Sequence, residues 1–146
     1  RHGMAARALH VFSDGQTQYG VPDPELGFED EHVTKLNDLV APGGRLEYTY
    51  DFGDAWDHEI LVEESSVFGS GQRVPRCVTG QGACPPEDSG GVDGYAQVVA
   101  ILRDPSHEEH RFMLEWLGLD SRDQFDPERF EPDDANMRLA VAASFG

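Results

Sequence analysis

Arg-Leu-Glu-Tyr-Thr-Tyr-Asp-Phe-Gly-Asp-Ala-Trp-Asp-His-Glu-Ile-Leu-Val-Glu-Glu, residues 45–64, carries the clearest structural signal in the chain. Leu46, Tyr48, Tyr50 and Phe52 alternate with Glu47, Thr49 and Asp51. Successive side chains of a strand point to opposite faces, so this period of two reads as a half-buried β-strand. Trp56, His58, Ile60 and Val62 then alternate with Asp57, Glu59 and Glu63, and Leu61 alone interrupts the polar side. Gly53, between the runs, is free to take the positive φ that tight turns use. Parity predicts an odd-length loop. A three-residue loop, Gly53-Asp54-Ala55, pairs Phe52 with Trp56, Tyr50 with His58, Tyr48 with Ile60 and Leu46 with Val62, with every apolar residue on one face. A two-residue loop would send one strand's apolar set to water.

That register names the candidate site. His58 joins Tyr48, Tyr50 and Trp56 on the apolar face. It reads either as a core histidine bonded to a tyrosine or a backbone carbonyl, or as a ligand or general base. Tyr48, Tyr50 and Trp56 are either core or the wall of a recognition groove. On the other face Asp51 and Asp57 stand opposite one another, with Asp54 at the tip. Like charges directly opposite on a sheet repel. The trio reads as a solvated turn or, with His58, as oxygen and imidazole donors for a divalent cation. Asp54, Asp57 and His58 are therefore the candidate catalytic residues, and Asp54, His58, Cys77 and Cys84 the weaker candidate metal ligands. No cofactor is expected; a divalent metal is the alternative.

The chain has 146 residues, enough for a single domain spanning 1–146 with a real core, and a net charge of −17 with Lys35 its only lysine. Such a field repels nucleic-acid phosphates, so direct nucleic-acid binding is not expected, and a partner protein is expected to be basic. No apolar run reaches the length of a membrane span. No signal-peptide pattern opens the chain, and with only two cysteines this points to a reducing cytoplasm. Arg1-His2-Gly3-Met4 reads as a tag scar.

Around the central hairpin, residues 8–20 read as a second hairpin. An Asp14-Gly15 turn would pair Phe12 with Thr17 and His10 with Tyr19. Residues 21–32 read as loop, and 65–72 as a turn or flexible loop. Thr34 is placed to cap a short helical turn through Leu36, Leu39 and Val40, stopped by Pro42-Gly43-Gly44. A turn at Gly80-Gln81 would set Cys77 opposite Cys84; the pair reads as free structural thiols, with a disulfide or a shared metal the alternatives. Helices follow. Asp93 caps one with a Tyr95, Val98, Val99, Leu102 stripe. Ser106-His107-Glu108-Glu109 is a capping box for a second, which buries Phe112, Met113, Trp116 and Leu117 and ends at Gly118. His107 and His110 read as solvated. A last helix, 133–143, turns Met137, Ala140 and Val141 inward. Strands first and helices after predict an α+β fold.

Several stretches together resemble the plasmid pRiA4b ORF-3-like family. They are Tyr-Asp-Phe-Gly-Asp-Ala-Trp-Asp-His-Glu-Ile (50–60), Pro-Arg-Cys-Val-Thr-Gly (75–80), Ala-Cys-Pro-Pro-Glu-Asp-Ser-Gly-Gly (83–91), Gly94-Tyr95, Phe-Asp-Pro-Glu (125–128) and Asn136. The resemblance covers nearly all of 8–140. It implies an MM3350-like α+β domain, with antiparallel hairpins forming a sheet packed against C-terminal helices. It also implies a bacterial or archaeal source and the neighbourhood of plasmids and mobile elements, since passenger proteins of insertion sequences belong to the family. It implies no reaction. Family members usually carry another strand and a helix before the Leu9-His10-Val11-Phe12 segment, so the chain reads as N-terminally shortened, with a sheet edge that a homodimer could fill. The family often has a third cysteine where this chain has Ser89. The leading expectation is an uncharacterised, non-catalytic accessory or binding module. The alternative is a metal-dependent hydrolase using Asp54, Asp57 and His58. An acidic mimic of DNA is a third reading, resting on charge alone.

Overall fold

The computed structural model describes residues 9–67, 69, 71 and 75–144. The N-terminal residues read as a tag scar lie outside them, as does part of the 65–72 loop. Apart from one short helix between the third and fourth strands, strands come first and helices after, an α+β fold. The chain forms two compact units. The first runs through Val67 and takes in Gly90–Val92; the second holds the rest.

The first unit is a five-stranded mixed sheet: β1 (His10–Ser13), β2 (Gln18–Gly20), β3 (Glu29–Asp30), β4 (Arg45–Tyr50) and β5 (Trp56–Leu61), in the order β3-β2-β1-β4-β5. All neighbours are antiparallel except β2 and β3. Residues 21–32 are therefore not all loop. Glu29 and Asp30 have no strand propensity of their own. They dock because Gly20 has no side chain: a Cβ there would strike the Phe28 ring, and the Glu31 amide donates to the Gly20 carbonyl at 3.0 Å.

Both hairpins have longer loops than their turn signals suggest, for the same reason. Asp14 Oδ1 accepts the amides of Gln16 (2.9 Å) and Thr17 (2.8 Å), so the first loop spans Asp14–Thr17 and Phe12 pairs with Tyr19 rather than Thr17. These two backbone bonds hold the Asp14 carboxyl below its usual range. In the central hairpin Asp51 plays the same part. Its Oδ1 accepts the amides of Gly53 (3.0 Å) and Asp54 (3.3 Å), and it adopts φ 56°. The loop is Asp51–Ala55, and Tyr50 pairs with Trp56, Tyr48 with His58 and Leu46 with Ile60. The odd parity stands, so the apolar residues share one face. The expected register is off by one pair, and Asp57 faces Thr49 instead of Asp51.

Leu46 (2% exposed) and Val11 (8%) are the buried hydrophobic residues of the strands, one from each face of the sheet. The short α1 (Leu36–Leu39) follows Lys35, and Thr34 does not cap it; its hydroxyl donates to the Asp30 carbonyl at 2.7 Å.

The second unit carries α3 (His110–Leu117), α4 (Pro132–Ala143) and most of α2 (Gly91–Arg103). The α2 stripe is as expected with Ile101 added: Val98, Ile101 and Leu102 are its buried residues. Helix α3 begins later than its capping box implies, because Ser106 Oγ donates to Asp104 instead. Gly118 does end it in the left-handed conformation, as only a residue without Cβ does at little cost. Phe112 (62%) and Trp116 (44%) stay exposed, contrary to the expected buried face. His110 is half-buried, its Nδ1–H donating to the Ile101 carbonyl at 2.9 Å.

Helix α4 is rotated from the expected face: Met137 and Val141 are exposed. Asn136 sets that rotation. Its Oδ1 accepts the Cys77 amide at 2.7 Å and its Nδ2 donates to the Cys77 carbonyl at 3.0 Å. Nearby, the Ala83 amide donates to the Pro127 carbonyl at 2.8 Å, and a Cβ on Gly80 would collide with the Phe130 ring. No hairpin joins Cys77 to Cys84; the segment is irregular, held from the 127–136 stretch, and both thiols are free.

Two stability outcomes follow from these contacts. Asn136→Ala leaves both Cys77 backbone groups without their partner and is expected to cost about 2 kcal/mol in urea unfolding. Ser89 is 7% exposed and its hydroxyl finds no hydrogen-bond partner among the described residues. Ser89→Cys is expected to raise the urea-derived stability by about 1 kcal/mol, since a thiol suffers less from burial unbonded.

Candidate functional site

The five-residue tip decides where the candidate side chains stand. With Tyr48 opposite His58, their rings lie 5.4 Å apart on the face they share. The β1–β4 pairing adds Phe12 opposite Tyr48, at a ring distance of 4.6 Å, and His10 opposite Tyr50. His10 and Tyr48 rings are 6.0 Å apart. Tyr48 is thus the centre of a wall made by Phe12, His10 and His58. The wall is half-buried on β1 and β4 and exposed at His58.

Polar groups are fixed within this wall. A carbonyl only accepts, so the His58 Nδ1–H donates to the Tyr48 carbonyl, at 3.1 Å, and Nε2 is the nitrogen outside that bond. His58 is accordingly bonded to a backbone carbonyl, as one reading expected, yet it is exposed and not core. His10 Nε2 lies 2.9 Å from both oxygens of the Glu31 carboxylate, and both side chains are under one-fifth exposed. Burial pushes the Tyr48 phenol above its usual range, and the Glu31 charge adds to the effect.

The other candidates are dispersed. Asp57 follows the opposite face and accepts the Thr49 hydroxyl at 2.6 Å. Asp54 sits in the loop, where its Oδ2 accepts the Gly90 amide at 3.0 Å. Gly91 packs so closely on the Asp54 carbonyl that any Cβ there would collide with it, and it adopts φ 69°. Adjacent strand residues point to opposite faces, so Asp57 and His58 do not converge on one point. Among the described residues no group of three His, Cys, Asp or Glu side chains stands close enough to hold a metal ion. Tyr50 and Trp56, both half-buried, pair with one another across β4 and β5.

Sequence reasoning missed His10, Phe12 and Glu31. Nothing local marks them: His10 and Glu31 are 21 positions apart and meet only because β3 docks beside β2. The face they complete offers π surfaces for stacking and a fixed carboxylate–imidazole pair for polar recognition. The separate concavities of the second unit, one of about 380 Å³ lined by Arg103, Arg122, Phe125 and Glu128, involve none of these groups.

An α+β chain with a mixed sheet, one aromatic sheet face and no convergent ligand set among its described residues is the class this geometry defines. Residues 2–134 match the family described as plasmid pRiA4b ORF-3-like protein, and the chain belongs to that family. It is 36% identical over 120 residues to the uncharacterized protein y4hQ of Sinorhizobium fredii, an alignment covering 80% of this chain and 61% of that relative. The crystal structure of MM3350, a protein of unknown function from Methanosarcina mazei Go1, is similar with a TM-score of 0.74 and 36% identity, over 87% of this chain and 72% of that one. The chain thus spans about three-fifths of the curated relative it matches. No helix among the described residues is long and apolar enough to cross a membrane.

The raised Tyr48 phenol has a sign that can be checked. Folding favours the neutral phenol, so that contribution is whole below about pH 10 and is lost as pH rises through the raised folded value. The urea midpoint is expected to fall across the alkaline range, and to fall less in Tyr48→Phe. An identical decline in the two proteins would show that the phenol is not buried.

Proposed function

We propose that the chain is a non-catalytic binding module of its mobile-element-associated family, cytoplasmic, and that the aromatic sheet face around Tyr48 recognises a basic protein partner. The observation that carries the reading is the wall itself. Phe12, His10 and His58 stand within 4.6–6.0 Å of the Tyr48 ring, and the exposed His58 leaves the assembly open at its edge. Aromatic rings half-open to solvent supply contact area at low entropic cost and accept cationic groups on their faces. A net charge of −17 steers such partners toward the protein and away from phosphate-rich ones.

The test is calorimetric titration with a short peptide rich in arginine and apolar residues. Binding is expected to weaken with salt. A Tyr48→Ala, His58→Ala double variant is expected to lose about 1.4 kcal/mol, or tenfold in affinity. Equal affinity of the two proteins, or no binding at all, contradicts the reading.

A further inference from the structure

Building on that reading, we infer that the β5 edge is a docking strand for a basic, extended segment of another protein, which adds to the sheet beyond Trp56–Leu61. β5 ends the sheet: β4 is its only strand neighbour among the described residues. It is six residues long, whereas the opposite edge, β3, has two, too few to template another strand. Asp57, His58 and Glu59 are exposed along it, and Leu61 is 44% exposed. Long, exposed edge strands pair with other chains unless something prevents it, and charge is the usual device.

Here the charge is selective rather than merely protective. An edge-to-edge pair of two copies is antiparallel about a twofold axis, and residues directly opposite share a face. Centring that axis on any residue from Asp57 to Leu61 sets Asp57 or Glu59 opposite Asp57, Glu59 or Glu63. Like charges directly opposite destabilise each such register. A second copy is therefore disfavoured in each of those alignments, the ones that overlap most of β5. A strand with Lys or Arg at alternate positions reverses the sign of each of those pairs. Asp57 and Glu59 point to one face, and the Arg45–Glu59 ion pair at 3.0 Å is exposed, so it is no barrier to a further cation. His58 and Ile60 point to the other face, beside Tyr48, and meet the segment's apolar alternate residues. The occupant is thus a strand alternating basic and apolar residues, joined by main-chain hydrogen bonds, with side chains on the two faces giving specificity.

The experiment titrates the whole chain with a peptide alternating arginine and valine, in three forms: unmodified, and N-methylated on either alternate set of amides. Strand addition uses the amides of one edge only. One methylated form is expected to lose binding and the other to keep it, and Asp57→Lys with Glu59→Lys is expected to weaken the unmodified peptide by about tenfold or more. Equal binding of both methylated forms overturns strand addition. If that binding still depends on Tyr48 and His58, the binding-module reading survives without the edge; if no form binds, both fall. Self-association through β5, seen as a dimer whose β5 amides are protected from exchange, would also overturn the inference.

Discussion

A single carboxylate organises the central hairpin. Asp51 turns its side chain back onto the amides of Gly53 and Asp54 and takes a left-handed backbone conformation to do so. That capture satisfies two amides of the loop, and the β4–β5 pairing stops at Tyr50 and Trp56. All that follows in the first unit depends on where the pairing stops. A three-residue loop, with the register shifted by two residues, would move His58 from Tyr48 to Tyr50, break up the aromatic wall, and set Asp57 against Asp51. As it is, Asp57 finds the Thr49 hydroxyl and the repulsion never arises. The loop then presents Asp54 to Gly90, with Gly91 tight against its carbonyl, so the tip is held at both its own backbone and a neighbouring segment of the same unit.

How much of this was legible depended on range. The alternation of 45–64 determines strands, facing and loop parity, because those follow from side-chain period alone. Loop length did not follow, since it is decided by a competition between ladder bonds and the Asp51 side chain, and the same competition at Asp14 lengthened the first hairpin loop. The helices behaved alike: the α2 stripe could be read from its spacing, whereas α4 is turned by Asn136 bonding Cys77, 59 positions away. His58 was found and its carbonyl partner anticipated, but its exposure was not. His10 and Glu31 were invisible because a two-residue parallel strand of Glu and Asp carries no signal.

The residues by which the chain resembles its family divide into two kinds. Asn136, Gly80 and Pro127 knit the irregular cysteine segment to the stretch before α4. Asp51, Asp54, Gly90 and Gly91 build the tip. These are scaffold: each satisfies a backbone group or vacates space for a neighbouring backbone or ring. The Tyr48 face and the acidic edge beside it, the surfaces proposed for recognition, lie outside that scaffold. Ser89, whose buried hydroxyl has no hydrogen-bond partner among the described residues, belongs with the scaffold too.

The most direct test of this account is the register of the central hairpin, read by proton NMR from cross-strand nuclear Overhauser contacts. The account predicts contacts linking Tyr48 with His58 and Tyr50 with Trp56. Contacts linking Tyr48 with Ile60 and Tyr50 with His58 would mean that Asp51 does not end the ladder, and would remove the aromatic wall on which the functional reading stands.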